Sequence, residues 1–303
     1  MWALGALSER TRLSSECTHR RRPFQIQAAV LMLTLLTLVL TLVSRNAASL
    51  FLVASYSAIS TQLSSHNPSS CSTPLYCLNG ACNRSVVLFV LAHPDDEAMF
   101  FMPTLRAFQE GGAEVHLLSI TTGGADGLGV QRTRELVAAA DALSIRAAAL
   151  NESAFADGFM SPWDVEAAAT AISGHVRRSG VSFNTLVTFD SHGVSGHPNH
   201  RDTHRAVVLA LGSHDLRGIE ALQLRSVPIP FVAGLELLLL PLLLTTQGRQ
   251  PSGRWLFWQH SCTPSWIGMQ YHDSQWRSFR RVYVLLSRYS YLNELWPLTS
   301  LST

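Results

Sequence analysis

The chain has 303 residues, 47% of them hydrophobic, with a mean hydropathy of +0.15, which is high for a soluble protein and makes a membrane segment an expectation. All 23 basic residues are arginine, which excludes a Schiff-base lysine or a phosphate-loop lysine. A net charge of +2, with no basic patch interleaved with aromatics, argues against a nucleic-acid partner.

Residues 1–23 form an arginine-rich tail carrying Arg10, Arg12, Arg20, Arg21 and Arg22. The stretch 24–43 holds no charge, and as a helix it would be about 30 Å long, the thickness of a bilayer core. It is read as a single transmembrane helix, being too long for the apolar region of a cleaved signal peptide. Only Arg45 follows it before residue 84, so the charge bias places the amino terminus in the cytoplasm and the rest of the chain in the lumen. Residues 44–83 are rich in Ser, Asn, Pro and Cys and read as a linker. The five cysteines are Cys17, Cys71, Cys77, Cys82 and Cys262; their spacing fits no zinc knuckle and implies free thiols or one local disulfide.

A domain over 84–303 then opens with the uninterrupted apolar run 86–91, a strand buried on both faces as in a parallel sheet. Ala92-His93-Pro94-Asp95-Asp96-Glu97 sits at its carboxyl end, where open α/β sheets bind ligands. The stretch suits metal binding and acid/base chemistry; a turn with Asp95 or Asp96 as helix N-cap is the plainer alternative. A helix over 98–110 closed by Gly111 and Gly112, a strand over 114–121 and a loop at 123–127 make a β-α-β unit, without a G-x-G-x-x-G dinucleotide turn. Arg132 and Glu135 open a helix running to 143, either as a surface pair or with the arginine turned to a ligand. Further elements are expected at 145–150 (strand), 163–178 (helix), 186–190 (strand), 199–211 (helix), 219–227 (strand) and 254–258 (strand). The apolar stretch 231–244, broken by Glu236 and Pro241, reads as a membrane-interface segment or a core helix. Trp276, Arg277, Arg280, Arg281, Tyr283, Arg288, Tyr289 and Tyr291 form a basic, aromatic end suited to an anionic headgroup surface or to a solvated helix face. The expected fold is α/β, a Rossmann-like, mostly parallel sheet with helices on both faces, preceded by the transmembrane helix.

The strand 186–190 leads into a Gly- and Ser-rich loop ending in His197-Pro198-Asn199-His200. Two such loops above one sheet edge can supply the two histidines and one carboxylate of a catalytic zinc site with an open position for water. His204, one turn after His200, offers a rival ligand pair. Asp190 and His192 are read as ordering their loop, Glu97 as a helix-start charge or a support to the ligands, and His116, His175, His260 and His272 as structural.

The AHPDDE stretch at 92–97, the GxxRxxE stretch at 129–135 and TFDxxGVSGHPNH at 188–200 together resemble the PIG-L family of zinc-dependent N-acetylglucosaminyl deacetylases. The tail from Met269 to Tyr283 resembles the carboxyl end of its eukaryotic branch, which deacetylates N-acetylglucosaminyl-phosphatidylinositol in the second step of GPI-anchor synthesis. The resemblance implies zinc held by His93, Asp96 and His200, Asp95 as general base, a protonated His197 stabilising the oxyanion, and Arg132 reaching the substrate. It also implies a glycolipid partner and an endoplasmic-reticulum membrane location with the domain facing the cytoplasm, against the arginine bias. A soluble N-acetyl sugar conjugate as substrate, or a non-catalytic membrane scaffold, are the alternatives. Asn199 replaces an acidic residue of some bacterial relatives, which leaves an orienting hydrogen bond from that position open.

Overall fold

The computed structural model describes residues 85–150, 155–159, 161–227, 248–249, 253–259 and 261–298, all within the unit Ser72–Thr303. The tail 1–23, the expected transmembrane helix 24–43, the linker 44–83, the stretch 231–244 and Cys17, Cys71, Cys77 and Cys82 lie outside these residues. Among the described residues no helix is long and apolar enough to cross a membrane.

Eight strands form one sheet: β1 (Val86–Leu91), β2 (Glu114–Ser119), β3 (Arg146–Ala149), β4 (Thr185–Phe189), β5 (Glu220–Leu224), β6 (Gly248–Arg249), β7 (Trp255–Trp258) and β8 (Leu292–Pro297), in the order β3-β2-β1-β4-β5-β8-β7-β6. The first five in that order are parallel, as the apolar runs of β1 and β4 imply. The last three are antiparallel, so the sheet is mixed rather than all parallel. Strand order reverses between β1 and β4, and that crevice is where a doubly wound sheet places its ligands. Val87 pairs with Thr185 and Phe89 with Val187, so at the same offset Leu91 stands beside Phe189 and the two motif loops leave the sheet at one level.

The helices are α1 (Met102–Glu110), α2 (Gly129–Ala142), α3 (Val165–Ser179), α4 (Pro198–Ala210), α5 (Thr263–Tyr271) and α6 (Ser278–Leu286). The helix expected at 98–110 is in two parts: one π-helical turn, Glu97–Phe101, precedes α1. Pro103 cannot donate to the carbonyl four residues back, which breaks the ladder at this point. The next rung, between the Phe100 carbonyl and the Thr104 N–H, is bridged from the far end of the chain. Asn293 of β8 donates its amide to the Phe100 carbonyl (2.9 Å) and accepts from the Thr104 backbone N–H (3.2 Å) and hydroxyl (2.8 Å).

The tail differs most from expectation. It consists of α5, α6 and β8 rather than one basic, aromatic face, because Arg288 and Tyr289 are buried and Arg280 turns toward the motif loop. Glu294 draws Arg225 (2.8 Å) and Arg254 (2.9 Å) onto β8, pinning it between β5 and β7. All five residues of the π turn are buried, and α5 packs across that turn. The tail therefore backs directly onto the segment that follows the first motif.

Candidate active site

Asp96 sits at the centre. Its Oδ2 accepts from the backbone N–H of Ala92 (3.0 Å) and of His93 (2.8 Å), so the loop folds back on its own carboxylate instead of using it as a helix cap. Its Oδ1 lies 3.3 Å from Nε2 of His200. Burial raises its pKa, but the side chains of His200 and His93 outweigh it and hold it well below the usual carboxylate range.

The two neighbouring histidines have defined tautomers. His200 donates from Nδ1 to the Gly193 carbonyl (3.1 Å), and its ring stacks on Phe189 at 4.2 Å. Its Nε2 is buried and without a hydrogen-bond partner, aimed at a carboxylate oxygen. His93 presents Nε2 to two acceptors, Asn199 Oδ1 (3.1 Å) and Asp157 Oδ1 (3.2 Å), so that nitrogen carries the proton. Asn199 is oriented by the Gly158 N–H (3.0 Å) and by donating to the Ser161 carbonyl (3.2 Å). The other nitrogen of His93, Nδ1, faces Asp96 Oδ2 at 3.7 Å.

One ligand atom each from His93, Asp96 and His200 lies within 4.8 Å of the others, and all three side chains are buried. Electron pairs converging in this way repel unless a positive charge sits among them, and two imidazoles plus a carboxylate suit a divalent cation with zinc's preferences. The local field agrees. Burial opposes charge on His93, yet Asp157 and Asp96 outweigh it and lift its pKa to about 10, so these carboxylates favour a positive charge here, as a proton on the imidazole or as a cation that takes its place. Asn199 and Asp157 grip the imidazole from behind, as the outer partners of metal-binding histidines do. His93, Asp157 and His197 form a second, less buried set that shares the first histidine. His204 belongs to neither set; its Nδ1 faces the Phe189 carbonyl (3.0 Å).

Asp95 is held differently. Its φ of +110° is unusual for a non-glycine residue and stores strain. Its N–H donates to Glu97 Oε2 (3.2 Å), and Arg132 and Arg280 approach its two oxygens at 3.3 and 3.7 Å. Burial raises its pKa, while Arg132 and Arg280 oppose that rise without cancelling it. Glu97 is anchored by His272, whose Nε2 lies 2.5 Å from Oε1 with both side chains fully buried.

Arg132 is buried and does not pair with Glu135. It donates to the Pro94 carbonyl (2.6 Å), the Gly123 carbonyl (3.1 Å) and Asp157 (3.0 Å), all parts of the protein's own loops. Glu135 takes the N–H (2.9 Å) and hydroxyl (2.7 Å) of Ser274.

His197 caps α4. Its Nδ1 accepts from the Asn199 N–H (3.2 Å), which leaves Nε2 as the protonated nitrogen of a neutral ring. Burial, then the charges of His93 and His200, lower its pKa to about 4, which favours a neutral imidazole with one donor. Phe159 lies against it at 4.2 Å. Asp190 orders its loop as expected, accepting from the N–H groups of His192 and Gly193 (3.0 Å each) and of Ser226 (2.7 Å). Gly193 has φ +65°, and a Cβ there would stand 2.8 Å from that of His200, so the approach that orients the ligand histidine requires glycine.

Sequence reasoning missed Asp157, Arg280 and His272. Asp157 lies in a short Asp-Gly loop with no motif around it, and the other two gain their partners only when the tail folds back.

A mixed α/β sheet with a His/Asp/His cluster at its switch point, beside a buried carboxylate of raised pKa, defines a candidate metal-assisted hydrolase site. Residues 88–211 match the PIG-L family model, described as GlcNAc-PI de-N-acetylase. The chain is 35% identical over 217 residues to the N-acetylglucosaminyl-phosphatidylinositol de-N-acetylase of Bos taurus, covering 70% of this chain and 83% of the bovine one. It is 42% identical over 118 residues to a probable enzyme of the same name in Schizosaccharomyces pombe, covering 38% of this chain and 47% of that protein. The chain belongs to the PIG-L family. Among solved structures, a deacetylase triple mutant from the teicoplanin biosynthetic pathway matches with a TM-score of 0.50 at 16% identity, covering 73% of this chain and all of that one, a likeness of fold.

Proposed function

We propose that the chain hydrolyses the N-acetyl group of N-acetylglucosaminyl-phosphatidylinositol, giving glucosaminyl-phosphatidylinositol and acetate, the second step of GPI-anchor synthesis. The observation that carries the chemistry is the buried, partnerless Nε2 of His200 facing Asp96 and flanked by His93, with Asp95 alongside. Family membership supports the substrate.

His93, Asp96 and His200 would hold one divalent cation, zinc by the character of the donors. Such a cation supplies Lewis-acid chemistry, activating a water and polarising a carbonyl. Asp95 takes the proton from the attacking water, a role suited by its raised pKa. The water oxygen bonds to the acetyl carbon, and the neutral His197 donates Nε2–H to the amide oxygen as negative charge builds there. Asp95 then returns the proton to the sugar nitrogen as the C–N bond breaks. Arg132 holds the loop by the Pro94 carbonyl and steadies Asp95, while Asp157 and Asn199 keep His93 in register. A direct hand of Arg132 on the substrate belongs to the same proposal, through a shift of its guanidinium.

The substrate places the protein at a membrane, and we assign it to the endoplasmic reticulum with the domain facing the cytoplasm. The sequons at Asn83 and Asn151 report the face: a glycosidase-sensitive mass shift would put the domain in the lumen. The test of the chemistry is Asp95→Asn, assayed for acetate release with metal content measured. Loss of turnover with metal retained supports the base role, and unchanged turnover defeats it. Chelator should abolish wild-type activity and added zinc restore it.

A further inference from the structure

Helix α6 has its polarity turned outward. Phe279 is 66% exposed, Val282 55%, Leu286 53% and Leu285 45%, and Val284 is the helix's only buried residue. Positions 279, 282 and 286 share one face, so the helix presents an apolar stripe to its surroundings where a surface helix of a globular protein presents polar groups. Arg277 and Arg281 are exposed at its amino-terminal end.

The other side of the same helix reaches the site. Arg280 is fixed by the Gln275 carbonyl (3.0 Å) and side chain (2.8 Å), and its guanidinium comes within 3.7 Å of Asp95. Tyr283 packs on Phe100 at 5.9 Å. One short element thus joins the carboxylate assigned as base to an exposed apolar face with arginines at its edge. Apolar side chains at acyl depth with cationic ones among headgroups are what an interfacial helix offers an anionic bilayer.

The geometry points to α6 as a bilayer-docking helix that lays Phe279, Val282, Leu285 and Leu286 into the lipid surface and so brings the mouth of the site to the membrane plane. This rests on the reading of the substrate as a membrane glycolipid, and it adds which surface meets the membrane.

The test uses the full chain in vesicles of phosphatidylcholine and phosphatidylserine. The variant Phe279→Ser/Val282→Ser/Leu286→Ser is compared with wild type on vesicle-embedded N-acetylglucosaminyl-phosphatidylinositol and on the deacylated, water-soluble headgroup. Exposing these side chains should cost on the order of 10-fold or more in kcat/KM on the embedded lipid, since each buried apolar side chain is worth about a factor of ten in partitioning. The rate on the soluble headgroup should not change. An equal loss on both substrates, or none on the lipid, overturns the proposal. Independently of turnover, phosphatidylcholine with a photoreactive acyl chain should label residues 279–286, as mapped by mass spectrometry. Absence of label there overturns it, as does a cross-link showing that this face is covered by a second copy or by the chain's own 231–244 stretch. If the wild type fails on both substrates while lipid still labels α6, the deacetylase reading fails and the docking surface stands.

Discussion

Replacing Asn293 by Leu removes the amide that bridges the π turn and α1 while keeping the number and branching of its side-chain heavy atoms. Asn293 and Thr104 are fully buried, so the Phe100 carbonyl and the Thr104 N–H and hydroxyl lose their partner where water cannot replace it. Each orphaned group costs about 1–3 kcal/mol, so the two backbone groups alone account for about 4 kcal/mol. For a domain of this size that lowers the melting midpoint by roughly 8–16 °C. Near-ultraviolet circular dichroism with urea or heat would measure it. Asn293→Asp sharpens the test, because the acid keeps an acceptor for Thr104 but can donate to Phe100 only when protonated. Its folded pKa should then exceed its unfolded value of about 3.9, so stability is lost as pH rises between the two, and the deficit against wild type narrows on acidification. A cost below about 1 kcal/mol for the Leu variant, or a deficit that widens at low pH, would refute the account of the bridge.

His272→Ala strands Glu97 as a buried, unpaired carboxylate, with an expected cost of about 3–5 kcal/mol, of which Glu97→Gln in the same chain should recover a part; additive losses in the double-mutant cycle would contradict the pairing. Gly193→Ala forces a left-handed alanine, about 1–2 kcal/mol, and pushes His200 aside, so metal content by mass spectrometry should fall along with stability. Burial raises the pKa of Glu294, but Arg225 and Trp296 outweigh it and hold it below its ordinary value of about 4.3. Its contribution is present above that value and is lost as pH falls through it, so Glu294→Gln should be less stable than wild type at pH 7 and close the gap in acid, as read by thermal melts.

The parallel half of the sheet was legible because strands buried on both faces are dominated by apolar residues: β1 is apolar throughout, and β4 departs from that only at Thr185 and Thr188. The candidate site was legible where its histidines and carboxylates cluster in sequence, at 93–96 and at 197–200. Of the antiparallel edge, β7 was, as the strand expected at 254–258, but β8 was not. Strand β8 reads Leu-Asn-Glu-Leu-Trp-Pro, with no β-branched residue, and Asn293 and Glu294 are there for partners that sequence does not reveal. The capping role of His197 was hidden for a similar reason: only coordinates show its Nδ1 accepting from the Asn199 N–H at the start of α4. The doubt over Asn199 dissolves in the same way, since its oxygen meets His93 Nε2 at 3.1 Å.

The bond from His272 to Glu97 spans 175 positions of chain, and those from Asn293 to Thr104 span 189. The motif loop is thus among the earlier parts of the domain to be synthesised and among the last to be secured. Until translation has passed residue 293, the nascent polypeptide carries its metal-binding groups on a segment whose helical seam is open. A premature stop in the final stretch would then yield more than a shortened protein: it would yield one in which the catalytic loop was never locked, a substrate for degradation rather than a weakened enzyme.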